Sequence, residues 1–384
     1  MDRRAYLATL ASGAGALAAG CVGARVAESS DPTPTAARTP RRRLADVELP
    51  VPETELTQAI HSIIPAIVEP AFARDWSGLE IGSGSRTYKP RLRAETPVVG
   101  VERHGVARAY PLGVLERHEV VNDVFPAPPG AEADREPLLV TYCPSCGSSM
   151  TALRRIGNTV PIFEVSHFLW KSNLVLRDSA TRSLWSQLLA GAIRGPATGT
   201  QLTLVPSTLE PWGSWRASHP DTRVLLPPPH SKSLYEIGGK DYEYARFTDT
   251  APLIGEDADG FGAGRTLVIG VARGGEAVAY PFEAVVEAGV VNDIVGGTPV
   301  VVAVGPGGTL VAYERRTEGS TLRFRRGDGK TLLAGGSRWL VERGVALDGP
   351  FEGVGLRRAN DVPPLFRFAW EDFHPGTRIF GDGG

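Results

Sequence analysis

Between Val98 and Trp215 short apolar runs alternate with turn-forming residues, the pattern of brief strands joined by tight connections. Val98–Val101 predicts a strand, His104-Gly105 a hairpin turn, and Ala107–Tyr110 the returning strand. Pro111 opens a predicted short helix from Leu112 to His118, since proline is well tolerated at a first helical position, and Asn122-Asp123 closes it. Pro137–Tyr142 predicts an apolar strand running straight into Cys143, and Gly147-Ser148-Ser149 a tight turn into another strand. Val160–Val165, Asn173–Arg177 and Leu184–Ser186 predict further strands, with Asp178-Ser179-Ala180-Thr181 as a turn and Trp212–His219 as a second short helix. The expected unit is β-rich α+β.

That unit occurs twice. Ala109-Tyr110-Pro111 through Asn122-Asp123 recurs as Ala279-Tyr280-Pro281 through Asn292-Asp293, at a constant offset of 170 (Tyr110 to Tyr280, Asn122 to Asn292). Ser183-Leu184-Trp185 recurs as Ser337-Arg338-Trp339, and Trp215, His219-Pro220 and Arg223 as Trp370, His374-Pro375 and Arg378. Ordered matches with a slowly drifting offset predict a tandem duplication, roughly 95–227 and 265–381. The expected organisation is an N-terminal unit over 46–227, a joining segment over 228–264 and a C-terminal repeat over 265–384. The second copy is expected to be degenerate. His118 and Glu119 become Ala288 and Gly289, and the strand ending in Cys143-Pro144-Ser145-Cys146 becomes one ending in Val304-Gly305-Pro306-Gly307.

The N-terminus predicts an address. Arg3-Arg4 precede an apolar stretch, Ala8 to Ala19, too short to span a bilayer. Leu17-Ala18-Ala19-Gly20-Cys21 then reads as a lipobox. The expectation is a twin-arginine export signal over 1–21, lipid on Cys21, a disordered tether over 22–45, and a body anchored to lipid on the outer face of the cell membrane. Composition adds little beyond ordinary globular character, with 42% hydrophobic and 22% charged residues. A net charge of −2 argues against a nucleic-acid partner. No Walker loop, dinucleotide fingerprint or nucleophile elbow sits in a strand–helix context, which disfavours nucleotide and α/β-hydrolase chemistry.

Of three cysteines, the lipobox takes Cys21 and leaves Cys143 and Cys146. Three readings stand open. Two thiolates with His118 would suit copper or zinc. The same pair is the spacing of dithiol oxidoreductases, where His118 could stabilise a thiolate or act as a base. A static disulfide in a binding or structural lipoprotein is the third. His118, Cys143 and Cys146 are thus the candidate metal-ligating or catalytic residues.

Several motifs resemble those of the family called domain of unknown function 3179, over roughly residues 60–300. They are Ile64-Pro65-Ala66-Ile67-Val68-Glu69-Pro70, Ala107-Arg108-Ala109-Tyr110-Pro111, His118-Glu119-Val120-Val121-Asn122-Asp123, and Thr141-Tyr142-Cys143-Pro144-Ser145-Cys146. Val165-Ser166 through Leu174-Val175-Leu176-Arg177-Asp178 to Ser183-Leu184-Trp185-Ser186-Gln187 belongs with them. Pro126–Glu136 stands in place of a short Gly-Gly turn, and Lys171 and Asn173 where the family tends to have Asn and Asp, so the resemblance assigns nothing to 171–173. It implies a site pattern without a reaction. Glu119, Ser166, His167, Asp178 and Gln187 are expected to line the same pocket or support its ligands, although Asp and Ser at such positions also serve as turn formers.

Overall fold

The structure is a computed structural model that describes residues 42–44, 47–58, 63–82, 87, 89–131, 133–235, 266–317 and 319–382. The expected signal over 1–21, the lipidated Cys21, most of the tether and residues 236–265 of the joining segment lie outside the described residues. The last part of the expected tether is ordered into a ribbon, Arg42–Leu44 pairing antiparallel with Val47–Leu49.

Short strands bounded by turn residues fold into six sheets of three to five strands, a six-bladed β-propeller arrangement. The first sheet runs Thr208–Pro211, Pro97–Arg103, Val106–Pro111, Arg223–Leu225, Phe72–Ala73. The second runs Ser148–Leu153, Arg135–Cys143, Val120–Pro126, Ile67–Glu69, Lys232–Ser233. The third runs Gly191–Arg194, Leu184–Ser186, Asn173–Asp178, Phe163–Trp170, Thr57–Gln58. Three more follow in the same order: the fourth around Leu267–Arg273 and Glu276–Pro281, the fifth over Val290–Val295, Thr298–Val304 and Leu310–Glu314, the sixth from Arg325 to Ala346. The body is β-rich, 45% strand and 13% helix. The helical part of the α+β expectation reduces, among the described residues, to four α-helices of seven residues: α1 (Leu112–His118), α2 (Trp212–Ser218), α3 (Phe282–Ala288) and α4 (Arg367–Phe373).

The repeated motifs occupy matching places. Val98 pairs with Pro111 and Val99 with Tyr110 in the first sheet, and Val268 with Pro281 and Ile269 with Tyr280 in the fourth. A short strand then joins each sheet in parallel, through Val224 against Ala109 and Ile379 against Ala279. Gly100 and Gly270 lie flat against the rings of Trp215 and Trp370, where a Cβ would clash. Trp215 and Trp370 in turn carry His219 and His374, ring centroids 3.8 Å apart in both cases.

One expectation is corrected here. Asn122-Asp123 does not end the helical element but lies within the strand Val120–Pro126. The side chain of Asn122 reaches the next sheet, donating to Phe163 O (2.9 Å) and accepting from Phe163 N (2.8 Å). Asn292 makes the same pair of bonds to Phe324, at 2.8 Å each. Asp123 and Asp293 accept from the hydroxyls of Tyr110 and Tyr280 at 2.5 and 2.8 Å. A buried amide that satisfies backbone groups of a neighbouring sheet needs no turn to justify it.

Candidate functional site

The helix α1 places His118. Pro111 caps its start in extended conformation, and the chain leaves its end through Glu119 in the left-handed region (φ 53°). Leu112, Val114, Leu115 and His118 face inward. His118 is fully buried, and its Nδ1 lies 2.7 Å from the carbonyl of Pro65, a bond that needs the neutral tautomer carrying hydrogen on Nδ1. Burial lowers its pKa to about 4. Glu119 is also buried, and burial pushes its carboxyl up to about 8.

Beyond Glu119 the chain enters the second sheet, where Val120 pairs with Thr141, Cys143 with Ser148. Alternation along the strand turns Leu139 and Cys143 to one side and Leu138, Val140 and Tyr142 to the other. Cys143 and Cys146 are joined as a disulfide across the turn between Arg135–Cys143 and Ser148–Leu153. Their exposures are 2% and 0%. The predicted tight turn into another strand is present, with Gly147 at φ +57°.

The three residues expected to share a metal have other partners in this structure. Both sulfurs are spent on each other, His118 is held by Pro65, and among the described residues no group of three or more His, Cys, Asp or Glu is placed to share an ion. A disulfide sulfur has no thiolate charge to offer a soft cation.

A polar network surrounds Cys146 instead. Ser148 Oγ and Asn173 Nδ2 lie 3.4 and 3.1 Å from its sulfur. Asn173 Nδ2 also reaches Ser148 Oγ (2.9 Å) and Gln187 Oε1 (3.0 Å). Ser148 Oγ donates to Gln187 Oε1 (2.8 Å), and Gln187 Nε2 to Thr141 Oγ1 (3.1 Å). Thr141, Ser148, Asn173 and Gln187 are wholly buried. Gln187 was expected near the cysteines; Thr141, Ser148 and Asn173 were not. Asn173 falls within the stretch to which the resemblance assigned nothing.

The other expected residues lie apart from the sulfurs in role. Ser166 donates to Val175 O (2.6 Å) and, with His167 (φ 72°), sits where the register of Phe163–Trp170 shifts in a bulge. Asp178 accepts from Thr181 N (2.5 Å), Thr181 Oγ1 (2.7 Å), Ser183 N (3.1 Å) and Trp185 Nε1 (2.9 Å). Although burial opposes it, those donors hold its carboxyl below the ordinary range. Asp178 therefore ties a turn to a buried tryptophan.

The disulfide turn also docks on the second half of the chain. Phe366 N donates to the carbonyl of Cys146 (3.2 Å), and a Cβ on Gly147 would meet the Phe366 ring at 2.7 Å. Cys143 and Cys146 share one apolar cluster with Val268, Ala279, Leu365, Ala369 and Trp370.

A family model described as a protein of unknown function, DUF3179, matches residues 61–377. The match takes in both sets of sheets, further than the motifs over 60–300 reach. No curated protein matches the chain. No solved structure matches it.

Proposed function

Because the chain belongs to the DUF3179 family and its disulfide is buried at a seam between its two halves, we propose that it is a binding β-propeller whose Cys143–Cys146 bridge is structural. In this reading the body is exported and held to the membrane surface by lipid on Cys21. Its two halves descend from one duplicated three-sheet unit, of which only the first keeps the cysteines. The observation that carries the structural role is the bond from Phe366 N to Cys146 O, with both sulfurs covered. A protein thiol could reach neither sulfur without lifting the turn out of that seam.

A second reading is favoured by the two donors on Cys146. Hydrogen bonds from Asn173, and from Ser148 once its one hydroxyl proton turns away from Gln187, would stabilise a thiolate there, making Cys146 the better leaving group. An incoming thiolate would bond to Cys143 Sγ while the electron pair of the S–S bond left on Cys146 Sγ.

The reduction potential of the mature protein separates the two. A structural bridge is expected below about −300 mV, whereas a value between about −270 and −120 mV would establish redox chemistry. The same sample is assayed for copper and zinc. About one equivalent, lost in Cys143→Ser, would overturn the structural reading.

A further inference from the structure

The two halves meet at a second seam, and it is built differently. The loop Pro306–Gly308 occupies there the place that the disulfide turn occupies at the first seam. Ser214 Oγ of α2 donates to Glu342 Oε1 (2.7 Å), and Thr309 Oγ1 donates to Glu210 Oε2 (3.4 Å). Glu210 pairs with Val98 in the first sheet, the place at which Leu365 pairs with Val268 in the fourth. Where the first seam has a leucine against the disulfide, the second has a carboxyl.

A cavity of about 240 Å³ opens beside Glu210, with walls from both halves. Ser207 and Glu210 come from the first, and Tyr313, Glu342 and Arg358 from the second. Ser207 is 8% exposed, lines the cavity, and its hydroxyl has no hydrogen-bond partner. Glu210 is 2% exposed, and its hydrogen bond from Thr309 is long. Arg358 lies over the Tyr313 ring, 4.6 Å from its centroid, and donates to the neutral carbonyl of Glu342 (2.9 Å). Arg343, on the same wall, is matched by Glu102 at 3.0 Å. The cavity is thus lined by three carboxyl groups, Glu102 paired with Arg343 and beside it Glu210 and Glu342, by the guanidinium of Arg358, which forms no salt bridge among the described residues, and by the Ser207 hydroxyl with nothing to bond.

Burial favours a proton on these carboxyls: it pushes Glu210 up to about 7, with Glu342 adding to the rise and Arg358 opposing it, and burial also raises Glu342. A ligand ammonium could replace that proton and satisfy both acids, since a buried charge is tolerated when paired. A ligand carboxylate would meet Arg358, whose planar fork suits it. The volume lies below the usual range for drug-sized ligands, which selects a small molecule.

We propose that this cavity binds a small zwitterion, its ammonium between Glu210 and Glu342, its carboxylate on Arg358, with Ser207 completing the polar contacts. The proposal rests on the reading of the protein as a binding propeller and gives that reading a ligand class.

The test is calorimetric titration of the oxidised mature protein with L-alanine, ethylamine and propionate, which present both charges, the ammonium and the carboxylate alone. Alanine is expected to bind at least tenfold more tightly than either partial probe. Glu210→Gln and Arg358→Met are each expected to weaken alanine at least tenfold, with cooperative thermal unfolding showing that both variants fold. Absence of binding by alanine overturns the proposal, as does ethylamine binding as tightly as alanine, or either variant binding it undiminished. The titration reads only the cavity and the reduction potential only the bridge, so either can fail alone.

Discussion

The two seams join the same halves with opposite chemistry. At the first, Leu365 and the ring of Phe366 lie against a closed disulfide turn, and the contact is apolar apart from one backbone hydrogen bond. At the second, Glu210 stands in the place of Leu365, a Pro-Gly-Gly loop replaces the cysteine turn, and polar side chains border a cavity. A pair of junctions built on one backbone plan can therefore divide labour. One supplies cohesion through apolar burial and a covalent link, while the other gives up packing and keeps polar groups under-satisfied, the condition for recognising a ligand.

The most severe way to break this comparison is to write the second seam into the first. Leu365→Glu buries a carboxyl among the cluster residues around Cys143 and Cys146, with no cation provided for it. A loss of about 4 kcal/mol or failure to fold is expected, read by denaturant unfolding. A loss under about 1 kcal/mol would show that the first seam is not apolar.

The second seam should instead show a pH signature. Glu210 titrates near 7 when folded against an ordinary 4.5, so folding is coupled to proton uptake between those values. The stability this carboxyl contributes is complete below about 4.5 and is lost as pH rises through about 7. Relative to Glu210→Gln, the wild type should therefore lose about 3 kcal/mol between pH 4.5 and 8. Unfolding curves of both proteins across that range check this, and parallel curves would place Glu210 in contact with solvent.

Removing the bridge tests the first seam more gently. The Cys143→Ser/Cys146→Ser double variant is expected to lose about 2 kcal/mol, the chain-entropy value for so short a loop. Thermal unfolding with and without reductant supplies the check, since the variant should be insensitive to reductant. The smallest effect compares the paired asparagines. Asn122 is 1% exposed whereas Asn292 is half-buried, so Asn122→Ala should cost about 1 kcal/mol more than Asn292→Ala. Equal losses would mean that the inter-sheet bond, and not its burial, sets the cost.

Much of the local structure was legible in the residues. The helix expected over 112–118 is α1 residue for residue, the strand over Leu184–Ser186 is as expected, and the turn after Cys146 leads into a strand. These follow from short-range causes: proline at a helix start, period-two alternation, glycine at positive φ. Asn122-Asp123 was misplaced because polar residues in a strand resemble a turn unless their distant partner is known. The association of Gln187 with the cysteines was legible through the family resemblance. The contribution of Thr141, Ser148 and Asn173 was not, because each is an ordinary polar residue until three strands of two sheets bring them into one network around Gln187 and Cys146.

By itself, then, the sequence determined the repeated order of short strands and helices and the asymmetry between the halves, because hydrophobic period and turn chemistry act over a few residues. Only the tertiary structure decided the six-sheet closure, the covering of the cysteine pair by Phe366 and the cavity beside Glu210. Those depend on which faces meet across about a hundred residues of chain or more, and local pattern fixes the face a side chain takes without naming what will pack against it.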